Sequence, residues 1–163
     1  MANDFQHKII EPFMKLQRFW NSDKPLRIVK KEGLNHFNAS FVKGGFTDET
    51  FQKWPDRKVP KKLSVKNLEK WKKENSKRAI LVGKASDTEG AHLKDSNTAK
   101  ILGRGVEFSN DKVYAQVHND GLLAGKAPGF DMPQRQFIGP STVLEDKIMS
   151  KITKEINNIL NTN

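Results

Sequence analysis

The most distinctive stretch of the chain is Val113-Tyr114-Ala115-Gln116-Val117-His118-Asn119-Asp120-Gly121, and any chemistry is most naturally sought there. A catalytic reading makes His118 a general base or metal ligand and Asp120 the carboxylate that orients it. A base of that kind needs a nucleophile or substrate proton within hydrogen-bond reach, and a third group to fix its tautomer. No Ser, Cys or second His stands at a recognisable spacing to complete such a set. The structural reading turns Tyr114 and Val117 inward and leaves His118 near a helix end, where an imidazolium suits the helix dipole. Asn119-Asp120-Gly121 then makes the turn. The spacing favours the structural reading.

Metal and cofactor chemistry find little support. His7, His36, His92 and His118 are too scattered for a two-histidine helix motif, and no acidic triplet follows the calcium-loop pattern. The carboxylates are also too dispersed for a two-metal nuclease. With no cysteine, disulfides, thiolate catalysis and sulfur-ligated zinc are excluded. Gly103-Arg104-Gly105 and the run from Gly121 to Gly125 match neither a phosphate-binding loop nor a dinucleotide fingerprint. A non-enzymatic protein with no cofactor is the expectation.

The net charge of +10 is concentrated rather than spread. Residues 53–78 hold eleven Lys or Arg against Asp56, Glu69 and Glu74, whereas four bases and four acids balance from Asp131 onward. Lys61, Lys62, Lys66, Lys70, Lys72, Lys73, Lys77 and Arg78 form a candidate contact patch for nucleic acid or an acidic protein surface. Trp54 and Trp71 within it suit base stacking. The competing reading makes the lysines a solvated helix face and both tryptophans core anchors.

These groups must be placed by helices, turns and a small sheet. Phe5, Ile9, Phe13, Leu16 and Trp20 recur at helical spacing, and Pro12 sets the safer helix start near Glu11. Asn21-Ser22-Asp23 stops that helix. A second helix carries Leu26, Val29, Gly33 or Leu34, Phe37 and Phe41 on one side and ends at Gly44-Gly45, so the two form a hairpin. Residues 46–62 read as irregular, with Phe46, Phe51 and Trp54 pinning them to a core. Ser64 caps a short helix to about Glu74. Strands at 99–102 and 105–108 flank Gly103-Arg104, and a short helix is expected over 112–118. Leu144, Ile148, Ile152, Ile156 and Ile159 or Leu160 mark a long terminal helix capped by Ser141.

The result is an α+β class: an N-terminal helical hairpin, a small antiparallel sheet and a long C-terminal amphipathic helix in one domain over residues 1–163. Mobile segments are expected at about 42–62, 83–98 and 122–133. The expected core includes Phe37, Phe41, Trp54, Tyr114, Phe137, Leu144, Ile148 and Ile152. Neither a secretory signal nor an apolar run of membrane-spanning length is visible, so a soluble protein acting in a cytoplasm or inside a particle assembled there is expected.

Four stretches together resemble the phage virion morphogenesis (tail-completion) family of Mu-like phages and Bacteroidetes prophages. Asn35-His36-Phe37-Asn38-Ala39-Ser40-Phe41 with Gly44-Gly45-Phe46-Thr47-Asp48-Glu49 is similar to its second helix and glycine turn. Phe51-Gln52-Lys53-Trp54 is similar to its aromatic anchor. The stretch from Tyr114 to Gly121 is similar to its YAxxHxxG motif, and Arg135-Gln136-Phe137-Ile138-Gly139 to its closing signature. Residues 88–97 depart from the family's threonine-glycine-x-leucine pattern.

The resemblance implies structural roles for Phe41, Gly45, Trp54, Tyr114, Ala115, His118, Gly121, Arg135, Phe137 and Gly139. It also implies work in tail completion or head–tail joining, without catalysis. Its partners would be tail-tube, tail-terminator or neck (connector) proteins, and copies of the chain would close a homo-oligomeric ring on assembly from a subunit that can be monomeric in isolation. Its places would be the bacterial host cytoplasm during assembly and then the virion neck or head-proximal tail end. A basic DNA-binding accessory protein of a phage or prophage is the alternative.

Overall fold

The computed structural model describes residues 6–60, 62–76, 78–82 and 92–161. A π-helical turn at Gln6–Ile10 leads into α1 (Glu11–Asn21), with Pro12 in its first turn, where a missing N–H costs nothing. Ser22 ends α1 by donating from both its N–H and its Oγ to the Phe19 carbonyl. After two linking residues α2 (Lys24–Lys43) begins with Pro25 in its first turn, and it ends on Gly44 at φ +69°.

The inward face of α1 differs from the expected one. Phe19 is buried, while Phe13 and Trp20 are exposed; Phe5 lies outside the described residues. Neighbouring helix positions point about 100° apart, so seating Phe19 between α1, α2 and the terminal helix turns Trp20 to the flank. There the indole meets the Phe19 ring edge-on at 5.5 Å. Periodicity found the helix and missed its rotation.

The start of the stretch 46–62, expected to be irregular, belongs to a hairpin: β1 (Gly45–Thr47) pairs antiparallel with β2 (Phe51–Lys53). Phe46 and Trp54 are buried and Phe51 is exposed. The hairpin also organises the terminal helix, α5 (Thr142–Asn161). Ser141 Oγ accepts from the Leu144 N–H and donates to the Thr47 carbonyl, while Asp48 accepts from the Thr142 N–H. A carboxylate at this end of α5 also meets the positive pole of the dipole.

Between these elements lie α3 (Val65–Asn75), β3 (Asn97–Leu102), β4 (Gly105–Asn110), α4 (Ala115–Asp120), β5 (Leu123–Ala124) and β6 (Phe130–Asp131). The strands form three separate two-stranded antiparallel ladders instead of one sheet. The β3–β4 hairpin turns at Gly103-Arg104 as expected, and each strand runs two residues longer. The short helix starts at Ala115, three residues later than expected, because Lys112 and Val113 lead into a turn. Of the segment 83–98, residues 83–91 lie outside the described ones. The remainder is anchored, with Leu93 and Ser96 buried.

Two aromatic clusters make the core. Phe41, Trp54, Leu93, Ala115 and Phe137 form one; Phe37, Phe46 and Leu144 form the other, with Phe108 and Ile148 against it. Ile138 packs on both. Each fully buried large apolar side chain contributes about 1.5–3 kcal/mol. The Phe108 ring occupies the space a side chain on Gly33 would need, which accounts for a glycine in the middle of α2. Glu32, buried on α2, takes an ion pair from Lys147 of α5 at 2.9 Å. Tyr114, expected in the core, is 41% exposed. It precedes α4 and stands beside the core, not in it.

Candidate functional site

The four motif stretches converge on one knot of side chains. Phe41 near the end of α2 meets Trp54 edge-on at 5.5 Å and Phe137 at 5.1 Å. Trp54 Nε1–H donates to the Gln136 carbonyl at 2.8 Å. One residue earlier, buried Arg135 donates from Nε and Nη2 to the Pro55 carbonyl and from Nη2 to the Asp56 carbonyl. The chain at 54–56 is thus clamped to 135–137 by charge-assisted and neutral hydrogen bonds across about 80 residues of sequence.

The helix α4 is tied into the same knot. Asn119 Oδ1 accepts from the Phe137 and Ile138 N–H groups at 2.9 and 3.0 Å, and the Arg135 N–H donates to the His118 carbonyl at 2.7 Å. Gly121 closes α4 at φ +72°, where a Cβ would also press on Gln134 at 2.9 Å. A side chain on Gly45 would overlap the Gln52 carbonyl and the Phe51 ring. Gly139 is constrained less, since its nearest neighbour is the movable end of the Gln136 side chain. Ala115 is small because it sits buried in the Phe41–Trp54–Phe137 cluster.

His118 does not behave as a helix-end cation. Burial, with the Arg135 guanidinium as a smaller contribution, pushes its pKa below the ordinary imidazole value. The neutral ring therefore prevails at neutral pH, with Tyr114 edge-on at 6.1 Å. Its Nδ1 is buried with no hydrogen-bond partner. Asp120, the proposed orienting group, faces elsewhere: it accepts from Asn119 Nδ2 and lines a different cavity, next to Phe108 and Gln116. The His118–Asp120 pair is not assembled, because positions two apart on a helix diverge by about 200°.

The ring of His118 instead faces a cavity of about 390 Å³ together with Arg57, Arg78, Arg135, His92 and Tyr114. Arg57, which the sequence reading passed over, donates to the Arg78 carbonyl at 2.6 Å and to the Ala79 carbonyl. Its pKa is lowered by burial first, then by Arg78 and Arg135. Among the described residues no group of three or more His, Cys, Asp or Glu is placed to hold a metal ion.

The basic patch divides. Lys62, Lys66, Lys70, Lys72 and Lys73 are exposed on or just before α3, a helix with no buried residue. Ser64 caps that helix as expected, accepting from the Asn67 N–H. Lys61 and Lys77 lie outside the described residues. Arg78 leaves the patch: half-buried, it donates to Asn75 Oδ1 and turns toward the cavity. Trp71 is half-buried and belongs to neither aromatic cluster. It is a covering group on α3 rather than a core anchor.

Asn119 and Asp48 carry more of the architecture than the sequence reading assigned them. Asn followed by Asp-Gly reads as a turn, and its long-range acceptor role has no local signature. No helix among the described residues is long and apolar enough to cross a membrane. Comparison of the chain with protein-family models, with curated proteins and with solved structures finds no match.

Proposed function

We propose that this chain is a structural phage assembly protein of the virion morphogenesis (tail-completion) kind, acting in tail completion or head–tail joining through protein–protein contacts. The observation that carries the reading is the use made of its motif residues. Trp54, Asn119, Arg135 and Phe137 bind the chain to itself, and His118 and Asp120 are separated. The surface meanwhile keeps large apolar groups out of the core. Leu122, Leu123 and Phe130 stand exposed around the β5–β6 ladder, and Phe13 and Trp20 on α1. Rigid scaffolds that hold apolar side chains in water are suited to docking. Neighbouring copies in a ring, and tail-tube, tail-terminator or neck proteins, are the partners this reading assigns, met in the host cytoplasm and then at the virion neck or head-proximal tail end.

Deleting the gene from the genome that encodes it, inducing particle production and viewing the products by electron microscopy tests the reading. Unjoined heads and tails, or tails of defective end structure, are expected. Normal infectious particles in the absence of the gene overturn it. The alternative, a DNA-binding accessory protein, draws on the exposed lysines of α3.

A further inference from the structure

The cavity beside His118 has no part in the assembly reading and carries an inference independent of it. Its wall brings together Arg57, Arg78 and Arg135, and among the described residues that line it there is no carboxylate. Three guanidinium groups facing one space repel each other unless an anion lies between them. The repulsion registers on Arg57, whose proton affinity is lowered first by burial and then by both other arginines. Each guanidinium has five N–H donors. Arg57 directs donors at two carbonyls, Arg78 directs one at Asn75, and Arg135 directs its bonds at Pro55 and Asp56, so each retains donors beyond these.

A second observation comes from the hydrogen-bond inventory. Among the described residues, the buried side-chain nitrogens without a partner are Arg78 Nε and His118 Nδ1. Both residues line this one cavity. Leaving a buried hydrogen-bonding nitrogen unmet costs about 1–3 kcal/mol, and Arg78 Nε, which can only donate, marks a place for a missing acceptor. Leu81 lines the same cavity at φ +58°, a left-handed conformation that branched side chains rarely adopt outside functional or strained sites.

We propose that this cavity is a binding site for a small oxyanion, a phosphate or carboxylate group, received by Arg57, Arg78 and Arg135, with His118 donating from Nδ1 in the tautomer that carries its proton there. The planar guanidinium fork matches both oxyanions in two-point hydrogen bonding. At about 390 Å³ the space admits such a group with part of the molecule that bears it. The half-apolar wall made by Leu81 and Tyr114 suits an organic portion.

Thermal unfolding of the full chain tests this, with inorganic phosphate and acetate as separate probes and chloride at matched ionic strength as the control. Between 0 and about 20 mM of the preferred probe the melting temperature should rise by about 3–6 °C over the chloride control, given millimolar affinity and a domain of this size. A rise with phosphate identifies a phosphate-bearing ligand, and a rise with acetate alone an acidic side chain or terminus. Arg78→Gln and, separately, His118→Gln should each remove at least half of the increment, measured against the variant's own chloride control so that a change in basal stability does not interfere. No increment with either probe overturns the proposal. So does an increment that both variants retain, because the anion would then bind elsewhere on a strongly basic surface.

Discussion

Trp54 and Trp71 lie in the same lysine-rich stretch of sequence, yet the structure gives them opposite work. Trp54 follows the β1–β2 hairpin and is 3% exposed, with its indole N–H bonded to a carbonyl 82 residues away and its ring against Phe41. Trp71 sits on α3, a helix with no buried residue at all. The difference separates two functions of a chain. One region spends its aromatic and charged groups on long-range closure, and the other holds its charges in solvent where a partner can reach them. Local composition does not separate the two, because what decides is whether a distant strand or loop arrives to cover the side chain.

That contrast is broken most sharply by truncating each tryptophan. Trp54→Ala should cost about 3–5 kcal/mol, because a large ring leaves a packed cluster and the Gln136 carbonyl loses its donor. Trp71→Ala should cost about 1 kcal/mol, the typical loss at a half-buried site. Urea unfolding followed by circular dichroism gives both values. Equal losses would mean that α3 belongs to the core after all.

The long elements were legible because their signals are local. Proline in the first turn and glycine past the last set α2, and a 3.6-residue apolar repeat after the Ser141 cap sets α5, all within the chain itself. The β3–β4 turn was legible for the same reason. The β1–β2 hairpin was not: Asp48-Glu49-Thr50 is no strong turn signal, and the hairpin is held by Ser141, Thr142 and His36 from other elements. The convergence of Phe41, Trp54, Ala115 and Phe137 on one cluster was partly visible as a set of anchors. The arginine-lined cavity was not visible, since Arg57, Arg78 and Arg135 are spread over 78 positions and only the fold unites them.

The closed region should also be the source of acid sensitivity between pH 7 and pH 5. His36 and His118 both have pKa values below the ordinary imidazole value of about 6.5, in each case chiefly through burial. His36 is set against Phe37 and Phe46 and bonds the Thr47 carbonyl, and His118 faces the cavity. The unfolded chain therefore binds protons before the folded one does as the pH falls. Their contribution to stability is complete above the unfolded value and is lost as the pH drops from that value toward the folded one. Unfolding midpoints in urea should fall from pH 7 to pH 5, and His118→Gln should flatten the slope. A slope unchanged in both His118→Gln and His36→Gln would place the sensitivity elsewhere. α3 carries no histidine and should add nothing to it.

The smallest effect on folding, and the one that decides what the open region does, is expected from the lysines of α3. Replacing Lys66, Lys70 and Lys73 with glutamine should change stability by less than about 0.5 kcal/mol, since all three are exposed. If these lysines meet duplex DNA, removing three phosphate contacts lowers the slope of log affinity against log salt by about 2.7, at roughly 0.9 per contact. If they meet a protein surface or only water, the unmodified chain shows no anisotropy change with duplex DNA even at low salt, and the triple variant behaves identically. The first result would move the basic helix into the alternative reading and leave the aromatic knot as its support. The second keeps α3 as a solvated flank of an assembly subunit, which is the outcome expected for exposed lysines on a helix with no buried residue.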